Sequence, residues 1–391
     1  MPQEGAPHAA PPPGPIASDK TGRGPARVHA GLPTIAGKAD AAYLSGAIAR
    51  AGRNIRAADA VVTSSQARTA GCTLETLQSN IGRFFLKRIP DGVPGVPIVE
   101  IRLWEAGITR ALPRPTHSPN LDLAFNADRG EWWLLMSDIS VHMRTSRIDL
   151  DCDALRTLID GVARLQARFW NAPELGWPAD HSWLEYIDSL ARPMLAFAGR
   201  EEMNPWLRMR MDRARLEERL PFVFDAWGAD TSEFFLALCA EPARWTRPLH
   251  DLPRSIVHND LHEGNVGIGA DGQVWLLDWN GALSGPAMLD LAKFFFFRFW
   301  CFPKIEHAGS FAAACRDYYF DRITSAAGDR IDPGELQKLW DLSWLWTFVL
   351  FAWRLGEDVA EMPDKDAIAS RAANCRRIAD HARRIAGTYL E

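Results

Sequence analysis

The block from Ser255 to Trp279 constrains this chain more than any other. It reads SIVHNDLHEGNVGIGADGQVWLLDW. An apolar strand runs into His258-Asn259-Asp260-Leu261-His262-Glu263-Gly264-Asn265, and the turn signal Ala270-Asp271-Gly272 folds a hairpin. Its second strand, Trp275-Leu276-Leu277, delivers Asp278 directly. Two carboxylates and one carboxamide then stand at strand ends beside a hairpin. Mg²⁺ is a hard cation that takes oxygen ligands, usually one or two carboxylates together with substrate phosphates. Phosphoryl transfer also needs a separate carboxylate to orient the attacking hydroxyl and accept its proton. The block suits that pairing. His258 and His262 have a zinc-like four-residue separation, but the Gly-Asn loop between the strands argues against one helix face presenting both.

The rest of the chain divides around this block. Residues 1–35 hold eight of the 26 prolines and almost no large apolar residue. Such a segment cannot offset its ordering entropy by burial, so disorder is expected there. A short helix is expected at 41–51, then strands at 60–68, 74–79 and 83–89, a helix at 97–106, and a hairpin of 121–125 with 132–136. From 155 onward the pattern is mostly helical, with predicted helices at 155–170, 201–220, 287–300, 309–325, 333–355 and 366–389.

Charge and cysteine usage narrow the classes. With 44 basic and 49 acidic side chains the net charge is −5, which does not suit a nucleic-acid binder. The six cysteines form no CxxC pair, which suits reduced thiols in a cytoplasmic protein. No signal peptide is recognisable, and no uninterrupted apolar run approaches the ~18 residues of a membrane span. The expected protein is a monomer or homodimer.

HxDxxxxN followed by an apolar-Asp-Trp element resembles the aminoglycoside phosphotransferase and choline kinase-like superfamily of small-molecule kinases. His258 to Asn265 is similar to that family's HGDLHxGN, Leu276-Leu277-Asp278-Trp279 to its metal-binding element, and Gly285 with Asp290-Leu291-Ala292 to its third motif. The resemblance implies an α+β, bilobal protein-kinase-like fold. An N-terminal antiparallel sheet lobe with one helix would span 36–140, and a larger, mainly helical lobe 141–391. It implies ATP (or GTP) and Mg²⁺ as cofactors.

Carried over, Asp260 resembles the catalytic base, Asn265 and Asp278 the Mg²⁺ ligands, His258 a structural residue of the loop and Asp290 its stabiliser. His262 reads mainly as loop packing and Glu263 as a solvated loop residue. Asn259 departs from the family's usual Gly; Asn is the next most tolerant residue if positive φ is needed. Lys87 resembles the ATP lysine. Strand alternation puts Phe85, Lys87 and Ile89 on one face, and an inward lysine needs an anionic partner. Arg88 is the alternative cation, on the other face. Glu100 is the partner expected, with Glu105 as the alternative. Residues 64–73, ending in Gly71, Cys72 and Thr73, would cover the phosphates with backbone N–H groups, and Met136 to Ile139 would offer backbone groups to the base.

The acceptor is expected to be a small-molecule hydroxyl compound: antibiotic, amino alcohol, sugar or biosynthetic intermediate. Residues 1–140 carry a net +3 and residues 141–391 a net −8, and thirteen of the 16 tryptophans lie in the second part. A cationic, aromatic or glycosidic acceptor would suit that part, although most of the tryptophans read as core. Trp170, Trp177 and Trp183 form one group and Trp340, Trp344 and Trp346 another. A protein kinase is the first competing reading, weakened by His-Asn-Asp and Asp-Trp-Asn in place of His-Arg-Asp and Asp-Phe-Gly. A non-catalytic nucleotide-binding scaffold is the second, and nucleotidyl transfer a third.

Overall fold

Strand β7 (Glu131–Ser137) shows how the first part of the chain is built. Its side chains alternate across the sheet, as the two-residue period of a strand requires. Trp133 and Leu135 enter one apolar cluster with Tyr43, Leu44, Leu77, Phe84 and Leu86. Trp132 and Leu134 enter another with Cys72, Ile89, Ile101, Trp104 and Leu123. Each face of this sheet is therefore covered by its own helix.

The computed structural model of the chain describes residues 32–53, 55–68, 71–92, 99–143, 152–172, 213–250, 252–301 and 308–390, together with Met194, Leu195 and Ala198. Residues 1–31 of the expected tail, Thr69, Ala70, Trp177, Trp183 and the start of the helix expected at 201–220 lie outside the described residues. The chain separates into two compact units, one of residues 1–111 and 120–136, the other of residues 112–119 and 137–391.

The first unit contains β1 (Thr34–Ile35), α1 (Ala41–Arg50), β2 (Val61–Ala67), β3 (Thr73–Ser79), β4 (Gly82–Pro90), α2 (Val99–Glu105), β6 (Asn120–Asn126) and β7. Its six strands order as β1-β6-β7-β4-β3-β2; β1 runs parallel to β6, while the β6–β7, β4–β3 and β3–β2 pairs are antiparallel. Asp40 caps α1 by accepting the Tyr43 N–H at 3.0 Å. Arg50, at the other end, makes a two-pronged contact with Asp122 of β6, at 3.0 and 2.7 Å. The second of these contacts sets the helix against the sheet whose core it closes.

The second unit has a three-stranded sheet of β5 (Thr116–His117), β10 (Val274–Leu276) and β9 (Val266–Ile268), and a β11 (Leu283–Pro286) and β8 (Arg254–Val257) pair. Around them lie α3 (Cys152–Arg168), α4 (Arg213–Trp227), α5 (Ala229–Ala240), α6 (Pro242–His250), α7 (Leu289–Phe295), α8 (Ala308–Ala327), α9 (Pro333–Phe351) and α10 (Lys365–Tyr389). Both units together make a mixed α+β chain. Helix α3 packs on α8, and α9 packs on α7. No helix among the described residues is long and apolar enough to cross a membrane.

Two predicted helices end early. Expected over 287–300, the first is α7 followed by a π-helical turn over Phe296–Cys301. That turn buries Phe296, Phe299 and Cys301 while bringing Arg298 to 3.0 Å from Glu263. The second, expected to reach Leu355, ends at Phe351 and tightens into a 3₁₀ turn over Ala352–Gly356. The described tryptophans of the two groups resolve as core: Trp340, Trp344 and Trp346 are all buried, as is Trp170. Trp344 stacks on Phe348 at 5.9 Å and meets Phe296 edge-on at 5.5 Å.

Candidate active site

The segment between β8 and β9 is bound back onto helix α7 at His258 and Asn259. The carboxylate of Asp290 accepts the His258 N–H at 2.8 Å and the Asn259 N–H at 2.7 Å. Hydrogen bonds to a charged acceptor contribute about 1.5–3 kcal/mol each, more than neutral ones. Asp290 is buried, and burial pushes its carboxyl above the ordinary carboxylate range, while His258 and the two amides pull it back. Asn259 adopts φ +59°, the left-handed region that Gly or Asn accepts most readily. The requirement behind the Gly-to-Asn departure is therefore real, and Asn meets it.

His258 is also fully buried. Its Nε2–H donates to the Leu277 carbonyl at 2.8 Å, tying the loop to the strand end that precedes Asp278. Burial pushes its pKa down, so the ring is neutral there. His262 is held locally as well, its Nδ1 accepting the Gly264 N–H at 3.0 Å. Among the described residues no group of three or more His, Cys, Asp and Glu gathers to hold a metal.

Asp260 emerges from this buried loop with its side chain exposed, as do His262 and Asp278. The amide nitrogen of Asn265 donates to Asp260 twice, to its carbonyl oxygen at 2.9 Å and to Oδ2 at 3.1 Å. Both neighbours are acceptors, so the amide orientation is fixed and the Asn265 oxygen faces away from Asp260. Sheet register brings Asp278 to the same place. Val266 pairs with Leu276, and the Leu277 N–H donates to the Asn265 carbonyl at 3.0 Å, so Asp278 follows one residue after Asn265's partner. Asp278 itself has φ +57° and accepts from Asn280 Nδ2 at 2.9 Å. One amide oxygen, on half-buried Asn265, and one exposed carboxylate, on Asp278, are donors of the kind that Mg²⁺ takes together with phosphate oxygens.

Two residues of this region escaped the sequence reading. Glu263 is no solvated loop residue, since Arg298 of the π-helical turn pairs with it and both side chains are largely buried. Lys293 of α7 is buried, with Nζ bonded to the Asn259 carbonyl oxygen and lying 4.7 Å from the centre of the Phe351 ring. Burial pushes its pKa down, against the pull of Asp260 and Asp290. The signal for Lys293 was a lysine in the apolar run Leu289–Phe297, three residues after Asp290.

In the first unit, Lys87 Nζ lies 2.8 Å from Glu100 Oε2, with side chains 11 % and 1 % exposed. Asn120 Nδ2 donates to the other Glu100 oxygen at 3.3 Å. Arg88 turns the other way, to Glu75 at 2.6 Å and Glu131 at 3.7 Å. Gly71 is exposed with φ +76°, and the Arg68 N–H donates to the Cys72 carbonyl at 2.8 Å. The Cys72 side chain belongs to the core, so only its backbone faces outward chemistry. Thr73 opens β3, paired with Ala67 and Arg88. Met136 is half-buried and packs on the Cys72 cluster. In the second unit, Ile139 is buried and its carbonyl accepts the His142 N–H at 2.8 Å.

A sequence model of the phosphotransferase enzyme family matches residues 76–323. No curated protein matches the sequence. Among solved structures, a spectinomycin phosphotransferase crystallised with ADP and spectinomycin is 10 % identical, with 85 % of this chain and 94 % of that one covered and a TM-score of 0.46. An aminoglycoside phosphotransferase from Alicyclobacillus acidocaldarius is 12 % identical, with 84 % and 91 % covered and a TM-score of 0.39. An ethanolamine kinase from Plasmodium vivax is 11 % identical, with 82 % and 83 % covered and a TM-score of 0.43.

Proposed function

The chain belongs to the phosphotransferase enzyme family, and from that premise we propose that it moves the γ-phosphoryl group of ATP to a hydroxyl of a small molecule. The observation that carries this reading is the double hydrogen bond from Asn265 to Asp260, beside the backbone bond that sets Asp278 next to Asn265. The three residues read as base and metal ligands are thereby held relative to one another, which supports this reading. Preorganisation of this kind is the main source of catalysis in phosphoryl transfer, where positioning and electrostatics do most of the work.

In this reading Asp260 accepts the proton of the acceptor hydroxyl at its carboxylate. Asn265 holds the Asp260 carboxylate through Nδ2 and presents its own oxygen to the metal, and Asp278 supplies the carboxylate ligand. A Mg²⁺ held by Asn265 and Asp278 would supply charge neutralisation at the transferring phosphates. Lys87 is assigned to the nucleotide phosphates and Glu100 keeps its ammonium in place. Gly71, Cys72 and Thr73 contribute backbone N–H groups. Met136 and Ile139 are assigned to the base. The buried Lys87–Glu100 pair supports this over a solvated surface lysine. A small-molecule acceptor is favoured over a protein because β11 begins five residues after Asp278, which leaves no room for a long activation segment. The protein is assigned to the cytoplasm on its separated, reduced cysteines.

The test is Asp260→Asn assayed with γ- and α-labelled ATP across aminoglycosides, amino alcohols, nucleosides and sugars. Wild-type protein should pass the γ label, and not the α label, to one acceptor class. The variant should lose transfer by about 10²–10⁴-fold while still binding Mg²⁺ and a non-hydrolysable ATP analogue. Near-normal transfer by the variant would overturn the assignment.

A further inference from the structure

Three consecutive peptide planes lead into Asp260, and helix α7 holds all three. Asp290 accepts the N–H of the first, at His258, and of the second, at Asn259. The third joins Asn259 to Asp260, and its carbonyl oxygen receives the Lys293 ammonium. This plane sets the direction in which the Asp260 side chain leaves the backbone. It is turned out of the ordinary direction by the φ of +59° at Asn259, so its carbonyl points into the protein rather than to solvent. A buried carbonyl needs a donor, and Lys293 supplies a charged one.

The donor is itself held. Lys293 is buried and its ammonium rests on the Phe351 ring of α9, 4.7 Å from the centroid. Such a cation–ring contact is favourable where water is excluded. Lys293 and Asp290 stand three residues apart, on one helical face. One face of α7 thus carries an anion for the two N–H groups and a cation for the carbonyl that follows them.

We propose that Lys293 is a positioning residue for phosphoryl transfer, fixing the Asn259–Asp260 peptide so that the Asp260 carboxylate is aimed before the acceptor binds. This inference rests on the reading of Asp260 as the base. Lys293 touches neither substrate nor metal. Its loss acts on the rate of the chemical step and leaves nucleotide binding unchanged.

The experiment compares wild-type protein, Lys293→Met, Lys293→Arg and Asp260→Asn. The readouts are γ-label transfer from MgATP to the best acceptor, and to water where no acceptor is found, with thermal unfolding alongside. Lys293→Met should lower kcat at least tenfold with the KM for MgATP within twofold of wild type. Lys293→Arg, which keeps a charged donor, should recover most of that loss. A purely structural role would not separate Met from Arg at equal thermal stability, nor split kcat from KM. If Lys293→Met does not fold, Lys293→Gln is measured in its place. It is one bond too short to reach the carbonyl, and it carries the same expected tenfold loss. A kcat within twofold of wild type in the folded Met or Gln variant, beside an inactive Asp260→Asn, would overturn the proposal alone. Full activity in Asp260→Asn would overturn the reading of the base and this inference with it.

Discussion

Asn265 donates both of its amide hydrogens to Asp260, one to the main-chain carbonyl at 2.9 Å and one to the carboxylate at 3.1 Å. A single side chain thus restrains the backbone and the side chain of the same acid, and leaves its own oxygen pointing elsewhere. The two functions can be separated. Asn265→Ala removes both, and should lower kcat and raise the Mg²⁺ concentration for half-maximal rate, each on the order of 10–100-fold. Asn265→Asp keeps an oxygen ligand but puts a second carboxylate beside Asp260. Like charges at this separation resist joint ionisation, so the acidic limb of its pH–rate profile should move to higher pH. A profile that superimposes on wild type would sink this account.

Lys87 and Arg88 are adjacent cations that the strand sends to opposite faces, and they should fail differently. Lys87 pairs with Glu100, which is almost completely buried. Leaving one charge of a buried pair alone costs about 3–5 kcal/mol. Lys87→Met should lower the unfolding free energy by an amount approaching that range and raise the KM for ATP at least tenfold. Arg88 is held by Glu75 and stacks over Trp133 at 5.0 Å. Arg88→Met should cost stability but leave the KM for ATP within twofold. Chemical denaturation and initial-rate kinetics on the two variants make the comparison. Equal effects on KM would contradict the assignment of Lys87.

What the sequence revealed and what it concealed have physical causes. Strand period, turn residues and the spacing of Asp260, Asn265 and Asp278 are local patterns, and the hairpin register that joins Asn265 to Leu277 follows from them. The inward direction of Lys87 was legible for the same reason. Long-range partners were not. Glu263 reads as a solvated loop residue because its partner, Arg298, is 35 residues away and reaches it only through a π-helical turn. Such a turn breaks the 3.6-residue period on which helix recognition depends. Lys293 was hidden because its acceptor is a main-chain carbonyl, and any residue type can supply one. Helix α5 went unread since its apolar residues are not confined to a clear stripe, and α6 because prolines open and interrupt a short segment.

Stability should depend on pH through His381. This ring stacks on Trp300 at 5.0 Å and meets Trp344 edge-on at 4.5 Å. Burial, helped by Arg384, Arg377 and Arg316, pushes its pKa down to about 4. An unfolded histidine titrates at about 6.5. Between those values the unfolded chain binds a proton that the folded chain refuses, so the folded state is favoured in full above pH ~6.5 and loses ground as pH falls towards 4. His258 is shifted in the same direction by its own burial. His381→Phe keeps the stacking and removes the titration. Its thermal midpoint should therefore fall less steeply than that of wild type between pH 6.5 and 4. Parallel curves would show that His381 contributes nothing to the slope.

Asn259 is the position where the chain departs from the usual Gly of its motif, and its geometry says which substitutions it tolerates. With φ at +59° any residue bearing a Cβ is strained, by about 1–2 kcal/mol for an ordinary side chain. Asn is less strained than most, and its buried Oδ1 has no hydrogen-bond partner, so the side chain contributes little beyond tolerance of the backbone angle. Asn259→Gly should then be close to neutral in stability, and the N–H and carbonyl contacts to Asp290 and Lys293 should survive because both belong to the main chain. Transfer activity within threefold of wild type is expected. Asn259→Ala should lose about 1–2 kcal/mol, and Asn259→Val more, since branching at Cβ adds to the crowding. If the loop responds by leaving the left-handed region, the carbonyl swings away from Lys293 and kcat falls further than stability alone accounts for. Denaturation and kcat measured on Gly, Ala and Val in parallel should thus rank in one order, with Gly least affected. An inactive but stable Asn259→Gly would mean that the Asn side chain itself has a role in the reaction.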